Sequence, residues 1–174
     1  MKKIALLILA AVVFAACGPN REKTIENIKA FEDNAFESSI AADTAVADQL
    51  TNLYLDFAKR FPKDSLAPVY LLKAGEAQSN VLHTQRSIEI FDRVISDYPD
   101  FEDIALAYFL KGTAYDNNSQ YDDAKAAYQE FVDRYPDHYL AEGARQIIPR
   151  IGMSPEEMLA DILEHANDTI IAQN

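Results

Sequence analysis

One cysteine, three histidines and pairs of adjacent carboxylates are the residues of this 174-residue chain whose types could do chemistry. His83, His138 and His165 fall in different segments with no ligand at metal spacing, so they read as solvated surface residues and no metal site is expected. Asp122-Asp123 and Glu156-Glu157 sit where helices should begin, and a carboxylate in a first turn favours the positive end of the helix dipole by roughly 0.3 to 1 kcal/mol. There is no glycine-rich phosphate loop and no GxSxG turn. Cys17 is the only thiol. These residues predict no catalytic group and no cofactor, and leave Cys17 as the single reactive position.

The surroundings of Cys17 say what that reactivity is for. Lys2 and Lys3 give a positive start, Ile4 to Phe14 an apolar run, and Ala15-Ala16 a small-residue exit, the pattern of an export signal over residues 1–16. The apolar run covers about 13 residues with its flanks, against the roughly 20 that a transmembrane helix needs. Phe14-Ala15-Ala16-Cys17 resembles the lipobox of bacterial lipoproteins, with Phe14 where leucine is usual. That resemblance implies that Cys17 is acylated, becomes the mature N-terminus and holds the chain to a membrane through several acyl chains. The alternatives are a buried thiol, or plain secretion with cleavage near Ala16. Residues 17–23 then form the acylated cysteine and its tether, and 24–174 the folded domain. Gly18 stands where aspartate would mark inner-membrane retention, which points to the outer membrane, facing the periplasm.

The net charge is −12, and removing Lys2 and Lys3 with the leader leaves 14 basic against 28 acidic residues, or −14. Such a surface repels phosphate backbones and anionic headgroups, so nucleic acid is not an expected partner.

The elements that position the remaining residues show as a repeat. An aromatic-proline pair recurs at Phe61-Pro62, Tyr98-Pro99 and Tyr135-Pro136, always 37 residues on. Between the second and third pairs, Tyr108, Gly112 and Tyr115 share a stripe of one helix, and Ala124, Tyr128 and Phe131 a stripe of the next, split at Asn117 to Gln120. Gly112 and Ala124 should let the two backbones approach closely. Tyr108, Gly112, Tyr115, Ala124, Tyr128 and Pro136 resemble, in order and spacing, the tetratricopeptide pattern. Leu71, Gly75, Ser87, Phe91, Val94 and Pro99 fit the same register, with Gln78 where tyrosine is usual.

The resemblance implies an all-α fold, a stack of antiparallel helix pairs wound into an α-α superhelix. Its repeats span about 68–101 and 105–138, with a half repeat at about 44–62 ending a helix over Thr44 to Arg60. An irregular N-terminal helix precedes it near Ile25 to Phe36. Pro149 should end a helix started at Tyr139. Ser154-Pro155-Glu156-Glu157 should start another, whose apolar face of Met158, Leu159, Ile162, Leu163 and Ala166 completes a C-terminal cap over 139–167. The 37-residue period exceeds the family's 34 and implies roughly one extra helical turn before each first helix. Over residues 44–148 the chain resembles the periplasmic subfamily of BamD and YbgF type.

In this family the first helices line a concave groove. Leu72, Glu76, Ser79 and Asn80, and their equivalents Phe109, Thr113, Asp116 and Asn117, are the expected groove residues. Asn80 and Asn117 either hold a peptide backbone between them or simply end their helices. Lys73 and Lys111 could suggest a clamp for a terminal carboxylate, but Glu76 and Asp116 on the same face would repel it, so a basic or apolar segment is expected. The function expected is a lipid-anchored, periplasm-facing scaffold that binds a protein or peptide of the cell envelope and is not an enzyme. A small-ligand or glycan receptor is the alternative, disfavoured because the chain has no tryptophan. Groove-to-groove pairing into a homo-oligomer is a third arrangement.

Overall fold

The computed structural model describes residues 20–37 and 43–171, with side chains described for 20–35 and 43–163. Among the described residues eight α-helices follow in order: α1 (Arg21–Glu37), α2 (Thr44–Arg60), α3 (Leu66–Asn80), α4 (Thr84–Asp97), α5 (Ile104–Asn117), α6 (Tyr121–Arg134), α7 (Ala141–Ile147) and α8 (Pro155–Ile171). A 3₁₀ turn, Ile148–Arg150, separates the last two, and the described residues contain no strand. Residues 1–16, expected to be an export signal, and Cys17 lie outside the described residues. None of the described helices is long and apolar enough to cross a membrane.

Local signals account for the helix ends. Asp43 Oδ1 accepts from the backbone N–H groups of Ala45 and Val46 at 2.8 and 3.3 Å and so caps α2. Asn20 Oδ1 accepts from Lys23 N at 2.9 Å, and the Arg21 guanidinium bonds the Asp64 carboxylate. Residues 21–23, expected in the tether, lie in the first turn of α1.

At the 37-residue period each second helix closes on an aromatic whose N–H reaches four residues back: Phe61 to Phe57, Tyr98 to Val94 and Tyr135 to Phe131, at 2.8, 3.1 and 2.9 Å. The following proline cannot donate, so the helix stops. The residues beyond the family's usual length do not add the helical turn expected of them. They form two successive turns, with bonds from Asp64 to Phe61 and Ala67 to Asp64, from Phe101 to Tyr98 and Ile104 to Phe101, and from His138 to Tyr135 and Ala141 to His138.

Consecutive helices from α1 to α7 pack against one another, and the two first helices α3 and α5 also touch. The glycines set how close they come. A Cβ on Gly75 would collide with the Phe91 ring, and one on Gly112 would lie 2.6 Å from the Tyr128 ring. Each glycine is thus the floor beneath an aromatic of the partner helix, while Ser87 and Ala124, both fully buried, fill the turn before that ring. Ser87 Oγ also donates to Gly75 O at 2.8 Å.

Two apolar clusters result. The first is built around Ile28, Phe57, Leu71, Phe91 and Val94, the second around Ala124, Tyr128, Phe131, Ala141 and Ala144, with Ile95 and Tyr115 packed against both. Complete burial of one large apolar side chain stabilises by roughly 1.5–3 kcal/mol, so Phe57, Phe91 and Phe131, each at 0% exposure, anchor the stack.

The C-terminal end departs from expectation. Pro149 does end α7, through the 3₁₀ turn, and Gly152 turns the chain at φ +81°. Ser154 and Glu157 form the expected reciprocal cap, at 2.8 and 3.2 Å. Yet Met158, Leu159, Ile162 and Leu163 remain 40–57% exposed. The last repeat is covered by Ala141, Ala144 and Ile151 instead. The turn at Gly152, over which the Tyr121 ring already lies, leaves those four residues of α8 without cover from the body.

Candidate functional site

The side chains that converge in a concavity come from four helices. A pocket of about 330 Å³ is lined by Glu32 of α1, Leu50 and Tyr54 of α2, Lys73, Glu76, Ala77, Ser79 and Asn80 of α3, and Leu110 and Thr113 of α5. One wall is a tight polar cluster. Glu32 Oε1 accepts from Tyr54 Oη at 2.6 Å and from Lys73 Nζ at 2.8 Å. Lys73 also stands 5.9 Å from the ring centres of Tyr54 and Tyr70, within cation–π reach. Burial first, and the bond to Glu32 second, push the Tyr54 hydroxyl far above the usual tyrosine range, so it stays a donor.

Glu76 stands at the mouth of the pocket. It reaches solvent, but the surrounding walls remove enough water to hold its carboxyl above the ordinary glutamate range, with the Lys73 charge pulling the other way. Across the pocket, Thr113 Oγ1 and Tyr128 Oη share a hydrogen bond at 3.0 Å. Asp116 lies close enough to act on the Tyr128 hydroxyl, and its own carboxyl is raised by burial.

Of the eight groove residues expected, Glu76, Ser79, Asn80 and Thr113 are brought together here. The other four do not line the pocket. Leu72 is 8% exposed and belongs to the first core cluster. Phe109 packs its ring on Tyr128 and Phe131, at 5.2 and 5.4 Å between centroids. Asp116 is half-buried beyond Thr113, and Asn117 is exposed.

Asn80 and Asn117 are each the last residue of their helices, so helix ending is shared by both and groove lining belongs to Asn80 alone. The left-handed residue that closes each helix comes two positions later, at Leu82 and Ser119, with φ of 60° and 58°. His83 N reaches back to Gln78 O, and Gln120 N to Tyr115 O, both at 2.9 Å, which completes the Schellman geometry in both repeats.

Both lysines considered for a carboxylate clamp are already engaged, Lys73 with Glu32 and Lys111 with Asp92 at 2.6 Å. Leu50 and Tyr54 belong to the half repeat, in register with Ser87 and Phe91, but were not among the expected groove residues, and Glu32 precedes every repeat. The described residues hold no cluster of three His, Cys, Asp or Glu groups fit for a metal. His83 bonds Gln78 at 2.9 Å, and the His138 ring packs on Phe131 and Tyr139.

The comparison with known families agrees with this geometry. Residues 70–100 and 106–138 match the family model described as tetratricopeptide repeat. Each of these two segments is similar to one tetratricopeptide repeat. No curated protein and no solved structure matches the chain. The matched segments cover α3 with α4 and α5 with α6, so the pocket is formed by the first helices of both repeats together with α1 and α2. Repeats of this kind are in general non-catalytic scaffolds for protein or peptide partners.

Proposed function

We propose that the chain is a non-catalytic scaffold that docks a protein or peptide segment in the pocket between α1, α2, α3 and α5, and that acylation of Cys17 holds it to a bacterial membrane, on the periplasmic face of the outer membrane. The observation that carries the docking role is the convergence of Glu76, Ser79, Asn80 and Thr113 from two successive repeats on one concavity. Their amide, hydroxyl and carboxylate groups can serve the backbone of an extended or helical segment. The carboxylate of Glu76, stripped of part of its water by the pocket walls, favours a basic segment over an acidic one. The resemblance to periplasmic repeats of BamD and YbgF type supports a role in envelope assembly.

A photocrosslinking residue placed at Ala77 of the full chain in intact bacterial envelopes tests the docking role. A discrete protein adduct is expected from Ala77 and none from Glu89, on the exposed face of α4. Adducts of equal strength at both positions, or adducts to glycan alone, would overturn it. Labelling with a fatty-acid analogue tests the anchor separately, and the label should be lost in Cys17→Ser.

A further inference from the structure

The exposed apolar residues of α8 differ in kind from those elsewhere. Leu82, Tyr121, Tyr139 and Ile147 are isolated along the chain, whereas Met158, Leu159, Ile162 and Leu163 fall on one helix at positions i, i+1, i+4 and i+5. At 3.6 residues per turn these four occupy a single stripe about 140° wide. On the same helical wheel Glu156 borders the stripe on the Leu163 side and Asp161 on the Met158 side. Asp161 accepts from Arg150 Nε at 2.7 Å, and this pair, with the Ser154–Glu157 cap, fixes the first half of the helix to the 3₁₀ turn.

A 17-residue helix draws most of its stability in water from packing of an apolar face, and over the described side chains, up to Leu163, that face is open. Soluble proteins seldom leave such a stripe uncovered unless something binds it.

Charge selects the occupant. Glu156 borders the stripe on one side, Asp161 on the other is shared with Arg150, and the whole chain carries −12. A second copy, or an anionic bilayer, would bring like charge against that border. A helix whose own apolar stripe is flanked by lysine or arginine would meet both the stripe and its border.

We propose that α8 is a docking site for an amphipathic helix of a partner protein, with basic residues flanking its apolar stripe. The partner's leucine-type side chains would pack at i, i+3 and i+4 spacing between Met158–Ile162 and Leu159–Leu163, while its cations sit over Glu156. This surface is separate from the pocket between α1, α2, α3 and α5, and the two can fail independently.

The test uses the full chain and two fluorescent model helices of about 18 residues, long enough for one helical face. Both carry the same leucine stripe; one is flanked by lysines, the other by glutamates. Saturable binding of the lysine-flanked helix alone is expected, weakened at least about tenfold by Leu159→Ser with Leu163→Ser. Because both leucines are exposed, the thermal midpoint of that variant should match the parent, and Glu76→Ala should leave this binding unchanged. Glu156→Lys should weaken binding of the lysine-flanked helix. Equal binding of the two helices, or no binding, would overturn the proposal. So would self-association of the parent chain that the double variant abolishes, or preferential binding to phosphatidylglycerol vesicles.

Discussion

In the first repeat Gly75 lies beneath Phe91, and three residues later comes Gln78, fully buried; in the second Gly112 lies beneath Tyr128, and Tyr115 takes the corresponding place, half-buried. Gln78 Nε2 donates to Thr51 Oγ1 at 2.8 Å and to Asp48 Oδ1 at 3.1 Å, and Gln78 Oε1 meets His83 Nδ1 at 2.9 Å. One amide therefore ties α3 to α2 and to the residue before α4. Tyr115 does the corresponding work by apolar contact with both core clusters. The helix-pair geometry is thus set by the glycine and the aromatic above it, while the third position is free to be polar or apolar provided every buried group is satisfied.

Replacing each glycine by leucine breaks the shared part of that comparison. Both changes overpack a closed joint and should cost about 1–3 kcal/mol in denaturant unfolding, with Gly75→Leu the more damaging. Phe91 is completely buried and has nowhere to go, whereas Tyr128 ends in a hydroxyl at the edge of the pocket. A midpoint equal to the parent's for either variant would mean that the helix pairing is wrong.

A smaller loss is expected where the repeats differ. Gln78→Leu should cost about 1 kcal/mol, because His83 and Asp48 lose a partner while Thr51 Oγ1 keeps its bond to Ala47 O at 2.8 Å. Gln78→Tyr, which installs the usual residue of the family, should also destabilise, since the site is already filled by Thr51 and Asp48. A stabilised Gln78→Tyr chain in thermal unfolding would contradict the role given to that amide.

The smallest effect concerns the pocket. A carboxyl whose pKa is raised by folding adds stability that is full below its ordinary value, near 4.5 for Glu76, and is lost as the pH climbs through the raised value. Glu76→Gln should therefore unfold slightly later than the parent at pH 7 and match it at pH 4. A pH-independent difference between the two chains would show that desolvation does not govern Glu76.

The frame of the molecule was legible because its signals are local and repeated. The aromatic-proline stops, Pro149 and the Ser154–Glu157 pair each act within four residues, and the matching helix bounds follow. The pocket was half legible. The repeat register delivers Glu76, Ser79, Asn80 and Thr113, but Leu72 and Phe109 share the first helices and face the core, a distinction that depends on which helix lies alongside. Glu32, tied to Tyr54 across 22 residues, lies outside any repeat, so no spacing announces it. The open face of α8 was hidden for the converse reason. Its pattern is that of a packed helix, and only the chain's turn at Gly152 decides whether the body covers it.

The direct measurement is the affinity of the protein captured at Ala77 for two paired variants of the full chain, compared with the parent. Glu76→Ala with Asn80→Ala removes the pocket groups of the first repeat; Thr113 is retained, and Asp116→Ala with Asn117→Ala removes their neighbours in the second. The account predicts at least about tenfold weaker binding for the first pair and an unchanged constant for the second. Loss confined to the second pair, or none in either, would contradict docking in this pocket.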